Sequence, residues 1–405
     1  MSTAAANSSS SISNVPPSFR FLFRRLENLP YGRLETQGPH GEFWIHEGKE
    51  AGLAASWQVH DWKALHRILR DGDIGFGETY VEQLWDSPDL TALIRLALRN
   101  RNLLEALIQG HWSRRLLFWL SDRLLRRNSK AGSRRNIAQH YDLGNPFYQL
   151  WLDPSMTYSS AYFAGNHAQS LESAQTAKYQ AALDALHLAP GATILEIGCG
   201  WGGFAEHATR QGYRVRGLTL SKEQLTYAQN RIAQLGLDGL ASFHYQDYRD
   251  AQGCYDGIVS IEMFEAVGRE WWPSYFHKIH QLLRPGGRAL IQTISIRDER
   301  FPSYLRGSDF IRRHIFPGGL LPSPSAFAEE LHKAKLQVLQ RLEFGQDYAL
   351  TLAHWRQRFE AQSQALYQLG YDSSFQRLWR FYLSYCEAGF SEGELDVGQW
   401  TLSHA

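Results

Sequence analysis

A strand, a glycine-rich turn and a helix follow one another within residues 193–205, and together they limit most strongly how this chain can fold. Residues 194–197 are an apolar run of the kind that forms a buried parallel strand. Three glycines then stand at alternate positions: Gly198, Gly200 and Gly202. Glycine lets a backbone turn sharply and approach a ligand closely, and the helix start beyond offers unpaired N–H groups. The segment therefore predicts an α/β fold with a nucleotide-binding turn at the end of a strand.

One acid distinguishes this turn from other glycine-rich turns. Glu196 stands two residues before the first glycine, whereas a dinucleotide-binding loop has the spacing G-x-G-x-x-G and carries its acid later. The spacing resembles the S-adenosylmethionine loop of class I methyltransferases, which are Rossmann-like proteins with a seven-stranded, mostly parallel sheet. The resemblance implies that Glu196 holds the cationic methionine end of the cofactor. The loop residues implied to contact it are Gly198, Gly200, Trp201 and Gly202. A tight connection without a ligand is the alternative.

Composition and charge narrow the class of protein. The 405 residues suffice for two or three domains, and a hydrophobic fraction of 43% suffices for real cores. Lys+Arg 42 against Asp+Glu 41 gives no basic excess, so we expect no nucleic-acid partner. Three cysteines show no metal-binding spacing and fit a reducing compartment. No apolar run is long enough to span a membrane and no signal peptide is evident, so we expect a cytoplasmic protein without a metal site.

The chain divides into four predicted regions. Residues 1–15 predict a disordered tail. Residues 16–110 predict a small mixed α/β domain, expected to present lipid, in which residues 71–81 are rich in turn residues and predict a loop with solvated acids. Residues 111–135 predict a basic linker, and residues 136–405 predict the catalytic domain.

The linker at residues 111–135 has an unusual composition. Eight lysines and arginines accompany one acid, Asp122, and tryptophans and leucines lie between them. A basic amphipathic segment with tryptophans suits an anionic membrane surface. A helix that bridges two domains and leaves its arginines in solvent is the alternative. The first interpretation predicts a peripheral protein on the inner face of the membrane.

Further cofactor contacts are predicted after the second and third strands of the same sheet. Residues 214–219 predict the second strand, but no acid for the ribose follows at its tip. The groups available there are Thr219, Leu220, Ser221 and Gln224. Ser221 and Gln224 also spell a helix-capping box, which is the alternative role for that pair. Tyr248 and Arg249, after the third strand, are predicted to lie near the adenine.

Several ordered motifs together resemble the cyclopropane-fatty-acyl-phospholipid synthase family, which is related to mycolic acid methyltransferases. They are residues 139–163, 194–204, 218–224, 262–268 and 310–323. The resemblance implies methyl transfer from S-adenosylmethionine to a cis double bond of a phospholipid acyl chain. The resulting carbocation loses a proton and closes a cyclopropane. It also implies a homodimer. The polar and aromatic residues within 139–163, ahead of the strand at 194–197, predict a lid over the cofactor loop, in which Tyr158 and Ser159 are expected to bind the cofactor.

The resemblance also implies a catalytic set around a bound bicarbonate that takes the proton. The family's glutamate, tyrosine and isoleucine fall on Glu265, Tyr348 and Ile294. Two positions depart from the family, because Ser160 replaces a cysteine and Gln292 replaces a histidine. Serine and glutamine can still donate hydrogen bonds but cannot supply the charge of a protonated histidine. Weaker bicarbonate binding would allow a methyl-branched alkene as product instead of a ring.

Four alternatives stay open at the level of sequence. Glu265 could be a structural acid, and Tyr348 could be part of the core. The protein could be a small-molecule N-methyltransferase, since plant alkaloid enzymes share the fold and several motifs. It could also be a non-catalytic lipid-binding protein on a retired methyltransferase scaffold, although the intact cofactor loop argues against that.

Overall fold

A computed structural model describes residues 12–108, 129–130, 132 and 143–405. The strands are β1 (Tyr31–Gln37), β2 (Phe43–Glu47), β3 (Glu50–Val59), β4 (Trp85–Asp86), β5 (Thr193–Ile197), β6 (Arg214–Thr219), β7 (Ala241–Tyr245), β8 (Tyr255–Ile261), β9 (Leu283–Ile296), β10 (Leu336–Glu343) and β11 (Leu395–His404). The helices are α1 (Arg20–Leu26), α2 (Lys63–Asp71), α3 (Asp73–Val81), α4 (Leu90–Arg99), α5 (Arg101–Ile108), α6 (Asn145–Gln149), α7 (Leu171–Leu186), α8 (Gly203–Thr209), α9 (Lys222–Gln234), α10 (Trp272–Leu282), α11 (Phe301–Leu305), α12 (Phe310–His314), α13 (Pro324–Lys333), α14 (Gly345–Ala361), α15 (Ser363–Gln368) and α16 (Ser373–Ser391).

The chain forms two compact units, and the first contains the predicted N-terminal α/β domain. This unit comprises Met1–Leu116 and Leu366–Glu392. Its four-stranded sheet has the order β2-β1-β3-β4, with β1 antiparallel to β2 and parallel to β3. Alternate residues of β1 are buried, as expected for a strand with one face on a core. Helix α16, which lies within the predicted catalytic region 136–405, packs against α3 and α4 of this unit.

One local prediction in this unit is wrong. Residues 71–81 were predicted to be a loop, but Asp73–Val81 is the helix α3. Its glycines serve packing rather than turns, because a Cβ at Gly75 would lie 2.3 Å from the carbonyl oxygen of Arg67 on α2. Close approach of two helices therefore overrides the low helix propensity of glycine. Of the acids there, Glu78 pairs with Arg67 at 2.6 Å.

Arg377 attaches α16 to the sheet of the first unit. Its guanidinium donates to the carbonyl oxygens of Tyr80 and Trp85 and to the Asp86 carboxylate, and it lies 3.8 Å from the centre of the Tyr80 ring. We expect Arg377→Ala to lower the free energy of unfolding of this unit by about 3 kcal/mol, because buried acceptors lose a charged donor. Arg70→Ala, which removes an exposed arginine, should change it by less than about 0.5 kcal/mol.

Hydrogen–deuterium exchange distinguishes a loss of stability in the first unit from a loss of stability in the second. Amides of β3 and α4 should lose protection in Arg377→Ala and keep it in Arg70→Ala. Equal protection in the two variants would contradict the attachment of α16 through Arg377.

The second unit, Leu117–Ala365 with Gly393–Ala405, carries the predicted large sheet. Its seven strands have the order β10-β11-β9-β8-β5-β6-β7. The pairs from β9 to β7 are all parallel, and β11 runs antiparallel to both of its neighbours. The prediction of a seven-stranded, mostly parallel sheet with a smaller α/β domain is thereby confirmed.

The strand order of the large sheet fixes where a ligand can bind. The chain passes from β5 to β6 on one side and reaches β8 on the other, so the order reverses at β5. Open α/β sheets bind ligands in the crevice beyond the carboxyl ends of the strands at such a reversal. The glycine loop follows β5 directly, and residues 262–268 follow β8, so both face this crevice.

Some predictions fall largely outside the described residues. Of the basic linker 111–135, the structure describes only Ser129, Lys130 and Gly132, and Lys130 pairs with Asp250. Of the predicted tail 1–15, residues 12–14 form a 3₁₀ turn and Val15 is buried. Within the described ranges, no helix has the length and apolar character needed to cross a bilayer. The same ranges hold no group of three metal-ligating side chains.

Candidate active site

The glycine loop has the left-handed backbone that its sequence predicts. Gly198, Gly200 and Gly202 have φ angles of +85°, +51° and +84°. A Cβ at Gly198 would lie 2.8 Å from Cγ of Met263, so this turn also packs against the segment that follows β8. Among the described residues, apart from its chain neighbours, no atom lies within 4 Å of the position of a Cβ at Gly200. The loop is therefore tight on one side and open on the other.

Gly198→Ala tests this close approach, and Gly212→Ala is its matched control. Both glycines have φ +85°, but a Cβ at Gly212 would meet no atom within 4 Å. Both changes should lower stability by about 1–2 kcal/mol through backbone strain. Only Gly198→Ala should also weaken binding of S-adenosylmethionine, by at least about 10-fold, because the loop must move away from Met263. Titration calorimetry measures this, and equal affinities in the two variants would contradict the role of the loop.

Glu196 lies buried at the end of β5, with 4% of its surface exposed. Burial raises the pKa of its carboxyl to about 8, although the positive charges of Lys178 and Arg231 oppose this. Its Oε2 atom is buried and finds no hydrogen-bond partner among the residues that the structure describes. A buried carboxyl oxygen without a donor is costly unless a ligand supplies one. An ammonium group such as the one at the methionine end of S-adenosylmethionine fits this requirement, so the residues present fit the cofactor.

The tip of β6 carries the second predicted set of cofactor contacts. Thr219 Oγ1 donates to Gln224 Oε1 at 3.0 Å, and it accepts from the Ser221 N–H at 3.1 Å. Ser221 Oγ accepts from the Gln224 N–H, so Ser221 is the N-cap of α9 and the capping role is confirmed. Leu220 is half-buried between strand and helix. Binding of the ribose by this set stays a prediction.

Tyr248 and Arg249 lie in a 3₁₀ turn after β7. The Tyr248 ring packs edge-on against Tyr275, with centroids 5.2 Å apart, in the hydrophobic core. Arg249 donates to Asp247 at 2.6 Å, and its guanidinium lies 5.1 Å from the Trp271 ring. Asp247 is 1% exposed, and the sequence did not predict it as a residue of the site. Contact of Tyr248 and Arg249 with an adenine stays a prediction.

A second carboxyl group, Glu262, joins three of the predicted catalytic positions. It follows β8 with a left-handed φ of +49°, which is rare for a residue with a side chain. Its Oε1 accepts from the Ser160 N–H and from Gln292 Nε2, both at 2.8 Å. Its Oε2 accepts from the Tyr348 hydroxyl at 2.6 Å. Burial raises the pKa of Glu262, while these donors and Lys178 oppose the rise.

Glu265 lies one 3₁₀ turn further along the chain and engages the remaining predicted position. Its Oε1 accepts from the Ile294 N–H at 2.6 Å and from the Thr293 hydroxyl at 3.0 Å, and its Oε2 is buried without a partner. Burial, together with the negative charge of Glu262, raises the pKa of Glu265 to about 8. Two carboxyl groups thus lie close together at the carboxyl end of β8.

The predicted lid segment is held against helix α14, within the same unit, by its backbone N–H groups. The Ala161 N–H donates to Thr351 and the Phe163 N–H donates to Asp347, and both acceptors lie on α14. The Tyr158 ring lies 5.4 Å from the Trp355 ring of the same helix. These contacts place the Ser160 N–H within reach of Glu262. Segment 157–163 is therefore part of the site wall.

Trp201 of the glycine loop contacts helix α6, which precedes the segment 157–163. Its Nε1 donates to Asn145 Oδ1 at 2.7 Å, and its ring lies 5.1 Å from that of Tyr148. The prediction that residues before β5 cover the loop agrees with this packing.

Lys178 on α7 is a functional candidate that the sequence interpretation missed. Its Nζ donates to Ser159 Oγ at 2.6 Å, and its side chain is fully buried. Burial lowers its pKa to about 7, while the charges of Glu262, Asp153 and Glu196 oppose this. Lys178 therefore interacts electrostatically both with Glu196 at the glycine loop and with Glu262 after β8. Its one sequence signal is a lysine on the buried face of α7, which is too common to identify a site.

Gln399 on β11 fixes the orientation of Gln292. Its Nε2 donates to Gln292 Oε1 at 3.1 Å and to the Lys178 carbonyl oxygen at 3.2 Å. Gln292 must then direct its own amide N–H₂ toward Glu262. This buried chain of hydrogen bonds connects three elements that are distant in sequence.

Comparison with known proteins agrees with this geometry. The family model described as "Mycolic acid cyclopropane synthetase" matches residues 128–400. The chain is 37% identical to the tuberculostearic acid methyltransferase UfaA1 of Mycobacterium tuberculosis over 95% of this chain and 90% of that protein. It is 35% identical to the cyclopropane-fatty-acyl-phospholipid synthase of Escherichia coli K12 over 83% of this chain and 85% of that protein.

A solved structure extends the comparison to the fold. The mycolic acid cyclopropane synthase CmaA1, complexed with SAH and CTAB, superposes with a TM-score of 0.62 at 34% identity, over 66% of this chain and 97% of that one. The predicted family resemblance and the predicted cofactor class are thereby confirmed. The chain belongs to the mycolic acid cyclopropane synthetase family of S-adenosylmethionine-dependent methyltransferases.

Proposed function

We propose that the protein transfers a methyl group to a cis double bond in an unsaturated acyl chain of a phospholipid, and that the product is a cyclopropane fatty acid. The observation that carries this proposal is the pair of buried carboxyl groups, Glu262 and Glu265, on either side of Met263, the residue that packs against Gly198 of the glycine loop. An alkene attacks the methyl group with its π-electrons, so no proton is removed before the methyl transfer and one must be removed after it. Such a reaction needs a site that tolerates a carbocation and then accepts a proton.

The wall of the site suits a cationic intermediate on an acyl chain. S-adenosylmethionine supplies an electrophilic methyl group on a sulfonium when it is bound. The Tyr348 hydroxyl contacts the carboxylate of Glu262, and the rings of Tyr348 and Tyr158 pack against Trp355, with centroids 6.1 and 5.4 Å away. Aromatic faces attract cations and exclude water, which would otherwise quench a carbocation. Glu196 would hold the ammonium end of the cofactor, and the glycine loop would lie against it.

A methyl-branched alkene is the second candidate product. The relative that matches over 95% of this chain is named a tuberculostearic acid methyltransferase rather than a cyclopropane synthase. Ser160 and Gln292 also replace the cysteine and the histidine that the family resemblance predicts. Both products pass through the same methylated cation and differ only in which proton leaves.

The proposal includes a place for the reaction. We propose a cytoplasmic protein that binds the inner face of an anionic membrane, with a homodimer as its expected assembly. The excess of eight basic residues over one acid in residues 111–135 supports membrane contact. Neutralising Arg126 and Arg127 should reduce sedimentation with anionic vesicles at low salt. Unchanged sedimentation would remove this part of the proposal.

Product analysis tests the proposed reaction. Purified protein would be incubated with S-adenosylmethionine and vesicles of a cis-monounsaturated phospholipid, and the released acyl chains would be analysed by mass spectrometry before and after ozonolysis. A gain of one CH₂ with resistance to ozone is the expected result. The same gain with cleavage by ozone would establish the branched alkene. Methylation of amines with no gain on the lipid would refute the proposal.

A further inference from the structure

We propose that Glu262 is the internal base of the reaction, so that this protein removes the proton from its carbocation without a bound bicarbonate. The inference rests on the proposed methylation of an alkene. It concerns a residue that the sequence interpretation did not place in the site. Three observations carry it: the donors that surround the Glu262 carboxylate, the left-handed backbone that presents it, and the engagement of the residues predicted to bind bicarbonate in other hydrogen bonds.

The carboxylate of Glu262 accepts hydrogen bonds from three of the residues that were predicted to be catalytic. Ser160, Gln292 and Tyr348 approach it from three different elements, at 2.6–2.8 Å. Such a set of donors holds a carboxylate in one orientation. Gln399 in turn fixes Gln292, so the arrangement does not depend on a ligand.

The backbone at Glu262 has a left-handed conformation that is strained for a residue with a side chain. A non-glycine residue with positive φ is uncommon, and such residues concentrate at active sites. The Glu262 N–H donates to the Gln292 carbonyl oxygen at 2.8 Å, which holds the residue in this conformation. The turn directs the side chain toward segment 157–163, and Met263 beside it touches Gly198 of the cofactor loop.

The residues predicted for bicarbonate do not fit that ion here. The predicted donors are already engaged. The Ser160 hydroxyl donates to the Ala161 carbonyl oxygen, and the Ser160 N–H donates to Glu262. The Tyr348 hydroxyl donates to Glu262, and the Ile294 N–H donates to Glu265. Of the predicted donors, only the second amide hydrogen of Gln292 remains. A further anion would also lie beside the Glu262 carboxylate, which repels it. A protein carboxylate therefore takes the place of the exogenous one.

The proton transfer balances with Glu262 alone. After methyl transfer, the cationic carbon lies next to the carbon that bears the new methyl group. Glu262 takes one proton of that methyl group and becomes a carboxylic acid. The electron pair of the broken C–H bond forms the C–C bond to the cationic carbon, which closes the ring. The carboxylic acid then releases its proton to solvent before the next turnover.

Two variants of Glu262 and added bicarbonate test this inference. All rates would be measured on monounsaturated phospholipid vesicles in buffer freed of carbon dioxide, with and without bicarbonate. Wild-type turnover should be the same in both. Glu262→Gln should lower turnover by 100-fold or more, in the range of general-base catalysis, and bicarbonate should not restore it because the amide fills the site.

Glu262→Gly is the sharper variant. Glycine accepts φ +49° without strain, so this variant should fold, and it leaves a carboxylate-sized space lined by the three donors. Its turnover should be low without bicarbonate and rise at least about 10-fold with it. A merely structural role for Glu262 would not give this rescue. Glu330→Gln, in which the changed residue pairs with Lys333 on α13, is the control and should keep wild-type turnover and cofactor affinity.

The possible failures are distinguishable. Wild-type turnover that requires bicarbonate would overturn the inference, as would a Glu262→Gln variant with normal turnover. No lipid methylation by the wild type, despite normal cofactor binding, would overturn the proposed function and the role of Glu262 with it.

Discussion

Glu196→Gln is expected to weaken binding of S-adenosylmethionine by about 100-fold or more. The carboxyl of Glu196 is buried, and its Oε2 has no hydrogen-bond partner in the described part of the chain. Removal of one member of a buried, hydrogen-bonded charge pair costs about 2–5 kcal/mol, which corresponds to a 30-fold to several-thousand-fold loss of affinity. Glu330→Gln should leave the affinity unchanged.

The raised pKa of Glu196 predicts that the protein releases a proton when it binds S-adenosylmethionine. Because burial raises the pKa of Glu196 to about 8, its carboxyl is mostly protonated at pH 7 in the free protein. An ammonium ligand favours the ionised form, so binding should release close to one proton at pH 7 and affinity should rise between pH 6 and 8. Calorimetry in buffers of different ionisation enthalpy measures the release. Glu196→Gln should abolish it, and an undiminished release in that variant would contradict the assignment.

A double variant, Glu196→Gln with Glu265→Gln, is expected to be more stable than the wild type at neutral pH in the absence of ligand. Burial raises the pKa of both carboxyls to about 8, above the value of 4.5 expected in the unfolded chain. Between these values the folded state binds protons that the unfolded state has lost, so wild-type stability falls as pH rises. Two such groups contribute at most about 2.7 kcal/mol per pH unit.

The comparison of the two proteins isolates this effect. Partly buried histidines such as His207, whose pKa burial lowers, also make stability depend on pH, but they are common to both proteins. Melting temperatures by calorimetry should therefore nearly coincide at pH 5 and diverge by pH 7, with the variant higher. A difference that stays constant across this range would mean that both carboxyls remain ionised in the fold.

Local patterns in the sequence predicted the scaffold correctly. The apolar run at 194–197 became the buried strand β5, and the glycines after it took positive φ angles. The Ser221 cap began α9 where the sequence placed it. These features are local, because strand burial, left-handed turns and helix caps depend on residues within a few positions of one another.

Convergence of distant side chains was decided by the tertiary structure alone. Glu262 meets Ser160 across 102 residues of sequence and Tyr348 across 86, and no periodicity connects such positions. The resemblance placed the catalytic glutamate at Glu265, three residues further along, and nothing local marked Glu262 as the common acceptor.

Packing also overrode local preference elsewhere. The glycines of α3 suggested a loop, but close contact with α2 makes them helical. The segment 366–392 joins the N-terminal unit because Arg377 finds its acceptors at Tyr80, Trp85 and Asp86.

The sequence by itself therefore determined the sheet, the cofactor loop and the family. The tertiary structure decided which carboxylate occupies the centre of the site and which buried lysine accompanies it. The physical reason is that backbone conformation follows from neighbouring residues, whereas the charge state and partners of a buried group depend on every element packed around it.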